Sequence, residues 1–244
     1  MAMAMAINNS YIANDRRYNE VCANLAHARL AVGGDSHARR MAVAMEQLIG
    51  RGNFEGGITL NRPFNFTQGG MQLMNYFNDG NYNSLKRCSA DVVLLFLGGN
   101  DLDMIRPRER RDVLHDFLML FIELESLGKV VYIVGIPNRW SRRHQNLHDM
   151  QANISYINQR LKYIIKGRFI ALPTFTYRAD SFERVFRHVG PPGPPIREER
   201  VHLLEENYPV VAQHVLQKVD RNLRSRWTEP NKIERTINLF FDGH

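Results

Sequence analysis

Ser36 stands between a carboxylate and an imidazole, Asp35 and His37, in the segment LAVGGDSHARR, where an apolar run ends in Gly33 and Gly34. Two chemistries fit a serine so placed. The backbone of a strand-to-helix turn can cradle a phosphate, or simply turn. Alternatively the turn lifts the serine hydroxyl to the tip of a strand, where it becomes a nucleophile once a base removes its proton. Three more polar signals occupy comparable places: Gly69-Gly70 in FTQGGMQL, Asn100-Asp101 in VVLLFLGGNDLD, and His202 in EERVHLLEENYP. Taken singly, these read as a tight turn, a turn with a helix cap, and a surface histidine. Taken in this order at strand ends, they form a candidate site.

The elements that would position them follow from hydrophobic patterning. Short runs rich in Val, Leu and Ile alternate with longer helical patterns, as expected of a parallel sheet covered on both faces. The predicted strands are 29–33, 65–68 (with 58–60 a candidate before it), 92–97, 130–134 and 169–173. The predicted helices are 37–49, 72–77, 108–127, 151–165 and 209–223. The helix before the fourth strand is the clearest, with Val113, Phe117, Leu120, Phe121 and Leu124 at spacings of three and four and Gly128 as its stop. The expected fold is a three-layer α/β/α sandwich around a mostly parallel five-stranded sheet. In such a sheet ligands bind outside the carboxyl ends of the strands, where all four signals fall. The proline-rich stretch GPPGPPIREER, residues 190–200, reads as a stiff loop that delivers His202 to that edge.

The combination resembles the SGNH hydrolases, the GDSL-type esterases and lipases, from about Arg29 to about Leu223. The first block appears as Gly34-Asp35-Ser36-His37, with His37 in place of the usual leucine. Gly70 best matches the second-block glycine, with Gly69 as a close rival. The third block is intact as Gly98-Gly99-Asn100-Asp101. The last block, normally Asp-x-x-His, reads Glu199-Arg200-Val201-His202, so a glutamate replaces the family's aspartate. The resemblance implies the SGNH/flavodoxin-like fold and a metal-free, cofactor-free serine esterase that works through an acyl-enzyme. Ser36 would be the nucleophile, His202 its base and Glu199 the acid that orients the imidazole. The backbone N–H groups of Ser36 and Gly70 and the side-chain amide of Asn100 would form the oxyanion hole. Asp35 and His37 would be structural, Asp35 bonding loop backbone and His37 starting the helix.

The bulk properties set the context. The 244 residues suffice for one α/β domain, expected over 27–224, with an amino-terminal arm over 1–26 and a basic tail over 225–244. No apolar run is long enough to span a membrane, and the first twenty residues lack the features of a secretory signal, which leads us to expect a cytoplasmic protein or a module cut from a longer polypeptide. Cys22 and Cys88 lack metal-ligand spacing and are expected to be reduced thiols. A net charge of +7 makes an acidic partner plausible, nucleic acid included. Arg139, Trp140, Arg142, Arg143 and His144 after the fourth strand, with Arg106, Arg108, Arg110 and Arg111 after the third, would give the site a basic rim with one aromatic platform. Solvated decoration is the alternative for these arginines. The expected substrate is a small-molecule, glycan or lipid ester with a short acyl group such as acetyl, anionic if the rim is functional. A competing reading is an SGNH-like RNA-binding module with little or no catalysis, as part of a larger retroelement or viral polypeptide.

Overall fold

The computed structural model describes residues 28–50, 64–103, 108–140, 147–183, 185–187 and 197–224. The candidate strand at 58–60, the arm over 1–26 and the tail over 225–244 lie outside them, as do Cys22, Arg106, Arg142, Arg143 and His144.

Five strands build one sheet: β1 (Leu30–Gly34), β2 (Phe64–Thr67), β3 (Val92–Phe96), β4 (Val130–Val134) and β5 (Phe169–Ile170). Their order is β2-β1-β3-β4-β5, and every neighbouring pair is parallel. Alternation along the strands divides the core in two. Ala31, Val93, Leu95, Val131 and Ile133 face one layer, while Leu30, Val32, Leu94, Tyr132 and Val134 face the other. Being buried on both sides, the strands read as continuous apolar runs, and β1, β3 and β4 are buried at every position.

The first layer carries α2 (Leu73–Tyr76), α3 (Gly80–Arg87), α4 (Gly99–Leu102), α5 (Arg110–Ser126) and α6 (Leu147–Ile165). From α5 it buries Val113, Phe117, Leu120, Phe121 and Leu124, and from α6 Met150, Ile154, Ile157, Leu161 and Ile164. The second layer carries α1 (Ser36–Gly50) and α7 (Asn207–Arg224), which pack on each other. Ala38, Met41, Ala42 and Met45 of α1 meet Val211, Val215, Leu216 and Val219 of α7. The predicted three-layer fold is the one observed. The patterning did not announce α3, whose Asp79 cap accepts the Asn81 N–H at 2.7 Å, the one-turn α4, or an antiparallel pair β6 (Val185–Arg187) and β7 (Arg197–Glu199) that forms a separate two-stranded sheet.

The chain runs from β1 to β2 on one side and then returns past β1 to β3 on the other. The crossovers diverge there, so a crevice opens at the carboxyl ends of β1 and β3. Ser36 follows β1, and Asn100 follows β3.

Candidate active site

The turn after β1 is built for abruptness. Gly34 has φ +136°, and a Cβ there would lie 2.0 Å from the Phe96 carbonyl oxygen, so only glycine fits. The next N–H, from Asp35, donates to that same carbonyl at 3.0 Å. The buried Asp35 carboxylate then accepts the His37 N–H at 2.9 Å, capping α1. This matches the loop-bonding role expected of Asp35. With strand, cap and helix compressed into three residues, Ser36 falls in the first turn of α1, where the helix dipole favours developing negative charge.

His202 reaches this serine from 166 residues away: its Nε2 lies 2.8 Å from Ser36 Oγ. Backbone contacts on both sides hold it there. Trp140 and Arg200 exchange two hydrogen bonds, at 3.0 and 2.7 Å, and the Glu183 N–H donates to the His202 carbonyl at 2.9 Å. His37 contributes as well. Its Nε2 lies 2.8 Å from the Val201 carbonyl and its Nδ1 3.1 Å from the Tyr208 hydroxyl. A carbonyl only accepts, so Nε2 must carry the proton and Nδ1 accept from Tyr208. His37 does more than start a helix: it ties the His202 loop to α1 and α7. This tie through His37 and Tyr208 goes beyond the helix start expected of His37, and its only sequence signal is a polar residue on an otherwise apolar helix face.

The field at this site is positive. Burial, then Arg40, Arg139 and Arg39, push the His202 pKa down to about 4. Burial also drives that of His37 well below the usual histidine value, with Arg139 and His202 adding to it. Both rings are therefore neutral at pH 7, and His202 is ready to accept a proton.

Across the crevice, the motif Gly98-Gly99-Asn100-Asp101 assigns one task to each residue. Gly98 has φ +89°, and a Cβ there would strike the Phe117 ring at 2.7 Å. A Cβ on Gly99 would strike the Arg139 guanidinium at 2.5 Å. Asn100 donates from Nδ2 to the Met71 carbonyl at 2.9 Å, and to Asp35 Oδ2 at the long distance of 3.4 Å. Asp101, wholly buried, accepts the Leu73 N–H at 3.0 and 3.2 Å and pairs with Arg108 at 3.2 Å. Burial raises its pKa, against the pull of the Leu73 N–H and Arg108. Asp101 thereby fixes the start of α2, and with it the segment carrying Gly69 and Gly70, relative to Asn100. The left-handed φ of +75° falls on Gly70; no positive φ is found at Gly69. Both are exposed, with open space where a Cβ would stand.

The expected rim takes a different form. Arg139 is 1 % exposed, and its guanidinium faces Asn100, Asp35 and Asp103 instead of solvent. It was expected among the substrate-contacting arginines; the strand end turns it inward over Gly99. Trp140 packs edge-on against Phe182, with ring centroids 4.9 Å apart, so it braces the His202 loop while staying partly exposed. Arg108 is paired with Asp101 and Asp116, and Arg110 lies over the Tyr156 ring at 4.3 Å. Glu199 ends β7, its backbone paired with Val185 three residues before His202; its side chain lies outside the described residues. Among the described residues no cluster of three His, Cys, Asp or Glu side chains could hold a metal ion, and no helix is long and apolar enough to cross a membrane.

No protein-family model matches the chain, and no curated protein matches it at significance. Solved structures do. An acetyl xylan esterase superimposes with a TM-score of 0.55 at 16 % identity, over 78 % of this chain and 99 % of that one. The lipase/acylhydrolase from Enterococcus faecalis gives 0.55 at 13 % identity, over 80 % and 96 %. A member of the lipolytic G-D-S-L family from Veillonella parvula gives 0.54 at 20 % identity, over 78 % and 97 %. The fold is SGNH-like. At these identities the likeness extends to the fold alone, and the chemistry has to be argued from the residues.

Proposed function

We propose that this protein is a serine ester hydrolase of the SGNH type, cleaving short-acyl esters through an acyl-enzyme. The observation that carries the reading is the 2.8 Å approach of His202 Nε2 to Ser36 Oγ at the first turn of α1. His202 removes the hydroxyl proton as Ser36 attacks the ester carbonyl, and returns it to the departing alcohol. Glu199 is the proposed acceptor of the other imidazole N–H. It steadies the imidazolium, which otherwise forms in an unfavourable positive field. The oxyanion is met by the N–H groups of Ser36 and Gly70 and by Asn100 Nδ2. Water then enters by the same base-assisted route and releases the acid. The acetyl xylan esterase among the structural neighbours supports acetyl as the acyl group, and Arg142 and Arg143 are proposed to favour an anionic alcohol portion.

Labelling with a fluorophosphonate probe, followed by peptide mapping, tests nucleophile, base and oxyanion hole together. The expected result is modification at Ser36, turnover of an aryl acetate, and loss of both in Ser36→Ala. A wild-type protein that neither labels nor turns over would sink the esterase reading and leave the RNA-binding module in its place.

A further inference from the structure

Arg139 is a buried cation at the centre of the crevice that the mechanism above does not use. Its NH1 donates to Asn100 Oδ1 at 2.9 Å, its NH2 lies 3.4 Å from Asp35 Oδ2, and NH1 lies 3.7 Å from Asp103 Oδ2. We propose that Arg139 is a positioning residue for the oxyanion hole, locking the Asn100 amide with Nδ2 toward the crevice and cancelling the Asp35 charge beside it. The inference rests on the esterase reading.

Three partners agree on the orientation of that amide. A guanidinium has only donors, so the Asn100 atom facing it must be the oxygen. The Met71 carbonyl and the Asp35 carboxylate offer only acceptors, so the atom facing them must be the nitrogen. One Nδ2 hydrogen is engaged by Met71. Among the described residues the other meets only the long 3.4 Å contact with Asp35, which leaves it for the oxyanion. A cation on the amide oxygen also polarises the group and strengthens the hydrogen bond its N–H donates.

Asp35 makes this arrangement necessary. Its carboxylate caps α1 one residue from the nucleophile, so the abrupt turn that exposes Ser36 also buries a negative charge beside a developing one. The adjoining cavity is apolar over Met41, Phe96, Ile136, Leu172, Leu203 and Val211, and burial raises the Asp35 pKa; Arg139, ahead of the backbone N–H groups of His37, Ala38 and Asp35, opposes that rise and keeps the charge. Without Arg139 the carboxylate would draw the amide hydrogen away from substrate and repel the oxyanion. Gly99 completes the device, because its missing side chain makes room for the guanidinium.

The test is a double-mutant cycle between Arg139→Lys and Asn100→Ala, read as kcat and KM for an aryl acetate, with thermal melts of every variant. Arg139→Lys keeps a positive charge but loses the planar fork. It should lower kcat roughly 10-fold or more, toward the 100-fold scale of a lost oxyanion donor, with KM within about 2-fold of wild type. In the Asn100→Ala background the same change should alter kcat by less than about 2-fold, because the group it positions is gone. Equal losses in both backgrounds, or no loss in either, overturn the proposal while wild-type turnover keeps the esterase reading intact. Absence of wild-type turnover and labelling overturns both. Should Arg139→Lys fail to fold, the Arg139 guanidinium in 15N-labelled wild-type protein decides. Separate, slowly exchanging Nη proton resonances are expected of a guanidinium held by Asn100, Asp35 and Asp103, and one averaged, fast-exchanging signal overturns the proposal.

Discussion

At the scale of single residues, the proposed acid Glu199 and the positive field around His202 can each be probed by one substitution. Replacing Glu199 by Gln should lower kcat far more than it raises KM, because the interaction strengthens only as the imidazolium forms. A variant with near-normal kcat would show that another group orients His202. The pH profile reads the field directly. His202 accepts a proton only when neutral, so kcat/KM should rise through its depressed pKa near 4 and stay flat above about pH 6. Arg40, second after burial among the causes of that depression, lies outside the proposed machinery and pairs with Glu183 and Glu205. Arg40→Gln removes a cation and leaves two carboxylates, so the acid limb should move to higher pH. An unmoved limb would exclude Arg40 and leave the depression to burial with Arg139 and Arg39.

At the scale of elements, the joins deserve the perturbations. Gly34→Ala must place a methyl against the Phe96 carbonyl at a backbone angle hostile to side chains. A loss of several kcal/mol in a denaturant melt is expected. The link between α1 and the His202 loop should show in acid. The folded protein holds His37 neutral well below the ordinary histidine pKa of 6.5, whereas the unfolded chain takes up a proton there. Its contribution to stability is therefore complete above pH 6.5 and declines as pH falls below it, by at most about 1.4 kcal/mol per pH unit. His37→Gln, which cannot titrate, should flatten that slope between pH 7 and pH 5; an unchanged slope would place the titration elsewhere. These joins also mark the limit of what the sequence discloses. Strands β1, β3 and β4 announce themselves because continuous burial demands continuous apolar runs. Ser36, His202 and Asn100 stood out as candidates because strand ends and spacing locate them, and the fold brings Ser36 and His202 to hydrogen-bond distance. The inward turn of Arg139 was not legible: a side chain's direction after a strand depends on what it meets, here a missing Cβ on Gly99 and two carboxylates from other elements. The helix α3 escaped for a similar reason, since GNYNSLKR carries only Tyr82 and Leu85 to the core and owes its start to Asp79.

At the scale of the whole molecule, charge and chain order matter. Of the basic residues first assigned to the rim, Arg139 and Arg108 are committed to internal pairs and Arg110 lies over Tyr156; of the others, Arg142 and Arg143 are the proposed selectors of an anionic ester. Replacing both with Gln should raise KM for a negatively charged ester, leave kcat near wild type, and scarcely affect a neutral ester. Added salt should reproduce the effect on unmodified protein; equal effects on both esters would indicate a role in loop structure. Chain order has a different consequence. All five strands of the parallel sheet are complete by Ile170, yet His202 and the helix that seals the second core layer both come after residue 200. A nascent chain can thus display Ser36 long before His202 is there to meet it, and the segment that carries His202 also closes the hydrophobic interior. On the proposed esterase reading, hydrolysis becomes a report that the polypeptide has finished folding, and on refolding it should return no earlier than the closure of the second core layer.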